Sequence, residues 1–172
     1  MKYTPNLQAV LDLLSPKFTE ALKHADRQLD AKGVAHVIVG GLAVGAYGTP
    51  RNTKDIDFLV DMETAFETHG PIINLRDGMP FSYAGLPIDL LPAEERFLVE
   101  ALTAPEIDET GWSVIGVLPL IAMKLITTRP RDRNDVMMLI DAGVSAQEVE
   151  RYLKVMGLNV ALHRFKKLTE NI

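Results

Sequence analysis

The stretch HVIVGGLAVGAYGTPRNTKDIDFLV, residues 36–60, decides how this chain is read. It opens on an apolar run of β-branched residues, the signature of a strand. It passes through Gly40-Gly41 into a segment of small residues that suits a short helix better than a strand. It closes on a second apolar run headed by Asp55-Ile56-Asp57. Side chains alternate along a strand, so Asp55 and Asp57 share one face while Ile56 and Phe58 turn to the core. Two carboxylates side by side repel and lose hydration unless a positive charge lies between them. The run Phe58-Leu59-Val60 makes this a buried strand, which weakens the plain alternative of a solvated strand end. A hard cation such as Mg²⁺ suits such a pair.

Two further features work outward from this pair. Gly40 and Gly41 have no Cβ, so a phosphate can approach their backbone closely. The helix that follows offers unpaired N–H groups and the positive end of its dipole. A glycine pair also serves a tight strand-to-helix turn and nothing more, so alone it decides little. The third feature is Asp89 in GLPIDLLP, again an acid within an apolar strand. Alone it is a satisfied buried group or an edge residue. On a strand beside Asp55 and Asp57 it completes a cluster of three carboxylates. Such a cluster can hold two metal ions and clamp an in-line phosphoryl displacement.

The whole chain sets the bounds. Its 172 residues fit one compact domain, or one domain with a small helical appendage, and 47% hydrophobic content supplies a core. No apolar run approaches the roughly 20 residues of a membrane span. The N-terminal MKYTPNLQAVLDLL carries Asp12 within its apolar stretch and no small-residue cleavage site, so it does not read as a signal peptide. The absence of cysteine excludes disulfides, zinc–thiolate sites and a cysteine nucleophile, and the cytoplasm is the default compartment. A net charge of −5 argues against coating nucleic acid by bulk electrostatics. Two basic clusters, RPRDR (129–133) and HRFKK (163–167), read as solvated faces or helix ends. His24, His36, His69 and His163 have no metal-ligand spacing, and Trp112 and Tyr83 read as core residues rather than platforms for a base.

The expected elements are helices over 5–14 and 16–31, the two strands above with their intervening helix, and a short helix around Glu63 to His69. Two strands then flank the Ala84-Gly85 turn, a helix starts near Ala93, and one more strand covers 111–117. Helices follow over 118–128, 133–142, 146–156 and 160–169, with Ser145 and Glu148 as a capping box for the third. The fold class is α+β with α/β-like character: a small central sheet flanked by helices, with a C-terminal helical segment. Residues 1–117 form the core with its N-terminal helices, and 118–172 pack on it.

A glycine pair, thirteen residues, an acid-x-acid pair and a later third acid together resemble the DNA polymerase β-type nucleotidyltransferase superfamily. GGLAVGAYGTPRNTKDIDFLV is similar in particular to small bacterial nucleotidyltransferases related to the AbiEii-type toxins of toxin–antitoxin and abortive-infection systems. LPLIAMKLITTRPRDRNDVMMLI (118–140) resembles that group's downstream helical motif, with Lys124, Arg129 or Arg131, and Asp132 or Asp135 at the matching positions. The resemblance covers roughly residues 30–142, and the tail after Gly143 carries no motif.

The resemblance implies a mixed central sheet and an Mg²⁺-dependent transfer of a nucleotide from an NTP to an acceptor hydroxyl, with pyrophosphate leaving. Gly40 and Gly41 would hold the triphosphate, Asp55 and Asp57 would ligate Mg²⁺, and Asp89 would share the metal near the acceptor hydroxyl. Lys124 would contact nucleotide phosphates. A lysine inside LIAMKLI can equally snorkel or pair with a structural acid. Arg51 could neutralise a phosphate and Thr53 could fix the loop, and both could be loop structure alone. Arg131, Asp132 and Asp135 are expected to form a network near Lys124, with Asp132 a possible cap for a helix starting near Arg133. The resemblance implies as acceptor a tRNA 3′ end, a protein hydroxyl or an aminoglycoside-like small molecule, and a cognate antitoxin as partner. Two alternatives stand beside this. One is a catalytically silent nucleotide- or metal-binding module. The other is a regulatory interaction protein acting through Val149, Leu153, Met156 and Val160, positions that equally suit a core.

Overall fold

The structure is a computed structural model and describes residues 3–70, 72–76, 82–127 and 129–170. Helix α1 (Leu7–Leu11) is capped by Asn6, whose side chain accepts from the Ala9 N–H at 3.1 Å. Helix α2 (Pro16–Ala31) starts with Ser15 as its cap and Pro16 in its first turn, where the missing N–H costs nothing. It ends at Gly33, whose φ of +69° supplies the left-handed stop. Strand β1 (His36–Val39) leads through Gly40 into α3 (Gly40–Tyr47), and the chain returns antiparallel to β1 as β2 (Ile56–Val60).

Helix α4 (Met62–Ala65) and the hairpin β3 (Phe66–His69) and β4 (Ile72–Leu75) follow, then β5 (Ser82–Tyr83) and β6 (Leu86–Pro92) about Ala84-Gly85. Helix α5 (Arg96–Thr103) and strands β7 (Glu106–Ile107) and β8 (Ser113–Val114) precede four helices: α6 (Val117–Ile126), α7 (Pro130–Asp141), α8 (Ala146–Val155) and α9 (Asn159–Thr169). The main sheet runs β5-β6-β2-β1-β8-β7, with β6 parallel to β2 and β8 parallel to β1. The architecture is a mixed α+β fold.

Alternation along β2 assigns its two faces. Ile56, Phe58 and Val60 pack with Leu7, Val10, Phe18, Leu22 and Leu29 from α1 and α2. Leu59 points the other way, into a core shared with Phe97, Leu120, Val136, Leu153 and Phe165 from α5 to α9. Burying a side chain such as Phe58 or Phe165 is worth about 1.5–3 kcal/mol, so each face of β2 is anchored by packing. Asp55 and Asp57 lie on the face of Leu59, at the end of β2 where the helical cover gives way to an open pocket. Of the tail positions, Val149 and Leu153 are buried and Met156 is partly so, which makes them core residues, while Val160 is exposed. No helix among the described residues is long and apolar enough to cross a membrane.

Several elements differ from the sequence reading; the strand expected over 111–117, for one, is confined to Ser113–Val114. The helix expected from Glu63 to His69 stops at Ala65, and Phe66–His69 is a strand paired with Ile72–Leu75 across Gly70 at φ +64°. Tertiary pairing overrode a weak local preference there. Helix α7 begins at Pro130, three residues before the expected start, because a proline fits the first turn. Arg129 is therefore its cap residue, and Asp132 lies inside the first turn instead of capping it. Finally β7, a two-residue strand at the sheet edge, is too short to show a period. The expected strand start at Phe81 lies outside the described residues.

Candidate active site

The parallel register of β2 and β6 sets Asp57 directly beside Asp89. Register partners project from the same face of a sheet, so the two carboxylates meet. The charge of Asp89 bears on Asp57, and Asp55 adds its charge from two residues away. Burial, then the charges of Asp89 and Asp55, push the Asp57 carboxyl up to about 6, against a smaller opposing pull from Lys124. Of the readings open to Asp89 in its apolar strand, buried or at an edge, the structure shows it exposed, because alternate residues of β6 (Pro87, Asp89, Leu91) face the open side.

Gly40 closes the other wall. Val39 pairs with Asp57 across the β1–β2 ladder, so Gly40 comes just beyond the carboxylate. A Cβ on Gly40 would overlap Asp57 Oδ2, and the φ of +67° is itself one that favours glycine. Gly41 is similarly confined: a Cβ there would come 2.8 Å from the buried Thr53 Oγ1 and 3.6 Å from Arg131 Nη2. The first turn of α3 has no side-chain cap, so its N–H groups are not taken by a side chain. Thr53 reaches the Asp55 carbonyl only at 3.5 Å, a long contact, and its packing under Gly41 is the firmer observation.

These residues line one pocket of about 820 Å³. Its lining joins Gly40, Gly41, Thr53, Asp55, Asp57 and Asp89 with the cations Lys124, Arg129 and Arg131. Phe66, Ile73 and Leu75 of the β3–β4 hairpin, with Leu90, Leu120 and Met123, supply an apolar wall. Sequence reasoning missed that wall, since Phe66–His69 was read as the end of a helix and residues 72–75 were assigned no element. The dipeptide Gly70-Pro71 was the available turn signal.

Lys124 is held by two buried acids. Its Nζ lies 3.0 Å from Asp132 Oδ1 and 2.9 Å from Asp135 Oδ2, and both carboxylates are almost wholly excluded from solvent. Asp132 also accepts from the Thr127 hydroxyl at 2.5 Å and from Arg129 Nε at 2.9 Å. Burial raises the Asp132 pKa, yet the hydrogen bonds from Thr127, Arg129 and Lys124 outweigh it and hold the group below the usual carboxylate range. Arg51 is not among the pocket-lining residues; its Nη2 lies 2.6 Å from Asp135 Oδ1 and fastens the loop before β2 to α7. The network expected around Lys124 thus contains Asp132, Asp135, Arg51 and Arg129, whereas Arg131 lies apart from it, near Gly41.

The donor set fits a hard cation: carboxylate oxygens, one of them perturbed by its neighbours, at a glycine-lined helix start. The acids are neighbours without yet closing on one point. Among the described residues no three acid or histidine side chains are set close enough to hold a metal as they stand.

No protein-family model matches the chain, and no curated protein matches it. Among solved structures it is similar to an antigenic nucleotidyltransferase-like protein from Paracoccidioides brasiliensis, with 16% identity, a TM-score of 0.47, and coverage of 89% of this chain and 96% of that one.

Proposed function

We propose that this protein transfers a nucleotidyl group from an NTP to an acceptor hydroxyl, with Mg²⁺ held by Asp55, Asp57 and Asp89. The observation that carries the reading is the Asp57–Asp89 register beside Gly40: two carboxylates in contact, against a backbone with no room for a side chain. Such contact is unfavourable in an empty site and becomes favourable around a cation. When bound, Mg²⁺ would neutralise phosphate charge and orient the triphosphate.

The chain's own residues do the rest. The N–H groups at the start of α3 receive triphosphate oxygens, as a helix N-terminus does. Lys124, fixed by Asp132 and Asp135, lines the same pocket and would contact the nucleotide phosphates. The acceptor oxygen forms a bond to the α-phosphorus as the bond to the pyrophosphate oxygen breaks in line. Asp89, exposed at the pocket, takes the hydroxyl proton.

The test is label transfer from each α-labelled NTP, with Mg²⁺ and total RNA or cell lysate, beside the Asp55→Ala/Asp57→Ala variant. Transfer by the wild type that the variant lacks supports the reading. A wild type that binds nucleotide or Mg²⁺ without transferring label overturns it. That outcome would leave a catalytically silent binding module, the alternative favoured by the still-open arrangement of the three acids. A toxin role with a cognate antitoxin rests on the sequence resemblance and is tested by growth arrest on expression that the same double variant abolishes.

A further inference from the structure

A second hollow, of about 300 Å³, opens where α5, β7, α6 and α8 meet the N-terminal segment. It shares no lining residue with the pocket that holds Asp57 and Asp89. Its charged groups are Glu100 and Glu106, and no lysine, arginine or histidine lines it. Tyr3, Tyr152 and Met156 supply two rings and a thioether, and the rest is glycine and apolar side chains around the start of α6.

Nothing in the fold compensates the Glu106 carboxylate. The residue is half-buried, and its Oε2 is closed off from solvent without a hydrogen-bond donor among the described residues. Arg51 and Asp135 also carry buried atoms without a hydrogen bond, but both side chains are in ion pairs. No ion pair joins Glu106 among the described residues. Nor does it cap a helix, since α6 begins at the same hollow with no side chain accepting from its first turn. A carboxylate so placed has lost part of its hydration and gained nothing in return, which draws a cationic donor to its open side. Glu100 is bonded through Oε1 to Arg96 at 2.8 Å, but Arg96 is exposed and stands outside the hollow. The negative field reaches the neighbouring phenols. Burial, then the charge of Glu106, raises the Tyr47 pKa, and burial, then the charge of Glu100, pushes that of Tyr152 up to about 12.

We propose that this hollow binds a small organic primary ammonium with an apolar or aromatic body, its N–H groups donating to the Glu106 carboxylate and its body lying among Tyr3, Tyr152 and Met156. The proposal does not rest on the nucleotidyl-transfer reading. Anions are repelled by both carboxylates. A neutral apolar ligand would shut the Glu106 charge away from water without pairing it. A divalent metal ion collects about six oxygens, and among the described residues no three acid or histidine side chains stand together to begin such a shell. An organic ammonium satisfies both halves of the lining: a charge-assisted hydrogen bond to the carboxylate and contact with aromatic rings, whose faces attract cations. The volume is at the small end for a ligand pocket, which suits an amine of one ring or a short chain.

The test is isothermal titration calorimetry of the full chain in metal-free buffer with phenethylammonium chloride as the probe. Its neutral analogue 2-phenylethanol and its trimethylammonium analogue, which has no N–H to donate, are titrated beside it. Phenethylammonium should bind saturably at one site, and each analogue should bind about tenfold more weakly or worse, the scale of a hydrogen bond to a charged group. Glu106→Gln should weaken the probe by a similar factor. Ala104→Leu, at an exposed position on the rim, fills the hollow without changing its charge and should weaken it too, with an unchanged thermal melt. Asp55→Ala/Asp57→Ala should bind the probe as the wild type does. No binding by the wild type, equal binding of either analogue, or undiminished binding by Ala104→Leu overturns the site. So does loss of binding in the double aspartate variant, which would put the ammonium in the acid-lined pocket instead. If Glu106→Gln does not fold, the Ala104→Leu result and the two analogues decide.

Discussion

Gly40 and Asp57 are packed so that the smallest side chain on the first would take the place of the second's Oδ2. The glycine also holds φ at +67°, a conformation that costs an alanine about 1–2 kcal/mol. Gly40→Ala should therefore lower stability by at least that amount, read as a shift in the urea midpoint. It should also lower label transfer by an order of magnitude or more, because the clash is relieved only by moving the Asp57 carboxylate. A Gly40→Ala protein with wild-type midpoint and activity would contradict this packing.

Asp57 gives a pH-dependent prediction. Its folded pKa of about 6 lies above the unfolded value of 3.8, chiefly through burial and then through Asp89 and Asp55. The folded state binds the proton more tightly, so this residue lowers stability as pH rises through that window and its full cost is present above about pH 6. In metal-free buffer, Asp57→Asn should be more stable than the wild type by about 1–2 kcal/mol at pH 7.5, with the gain vanishing near pH 4. Adding Mg²⁺ should raise the Tm of the wild type more than that of the variant. A variant less stable at pH 7.5 than at pH 4, relative to wild type, would refute the electrostatic account of the acid pair.

What the sequence made legible follows physical range. Glycine pair, acid pair and apolar runs act within a few residues, and the structure contains β1, α3 and β2 where those signals lie. The site's partners came from further away. Nothing near Arg51 announces Asp135, whose carboxylate it meets across eighty-odd residues of chain. The Ser145 and Glu148 box shows the same limit. Ser145 does accept from the Glu148 N–H, at 3.4 Å. The return bond is replaced by Tyr3, whose hydroxyl accepts from the Ser145 N–H at 2.9 Å and donates to Glu148 Oε2 at 2.7 Å. Asp108 is a further case: it accepts from the N–H groups of Leu7, Thr110 and Trp112, tying α1 to the loop before β8, and no motif marks it.

The buried pairs around Lys124 predict an asymmetry. Asp135 serves both Arg51 and Lys124 while almost wholly out of water. Removing it leaves two cations with reduced compensation, and breaking a buried pair typically costs about 3–5 kcal/mol. Asp135→Ala should be destabilised by an amount in that range, measured by urea unfolding. Adding Lys124→Met should recover part of the loss, since the uncompensated charge is then gone. If the double variant lost the full sum of the two single losses, Lys124 and Asp135 would not be energetically coupled.

His36 offers the opposite pH signature, far from the pocket. Its Nε2 lies 2.8 Å from Asp26 Oδ1 and its Nδ1 is 2.7 Å from the Val34 carbonyl, fixing the start of β1 to α2. Burial lowers the histidine pKa, but the bonds to Asp26 and Val34 and the charges of Asp26 and Asp30 outweigh it, so the net direction is upward from 6.5. A raised pKa means the folded state holds the proton more tightly. The stabilisation is therefore full below the unfolded value of 6.5 and is lost as pH climbs through the folded value. His36→Gln should cost about 1 kcal/mol more at pH 5.5 than at pH 9, the scale of a charge-assisted hydrogen bond. Asp26→Asn should flatten the same profile, because it removes the partner that holds the proton. Equal losses for His36→Gln at both pH values would mean that the ring contributes only packing, through its edge contact with Phe58.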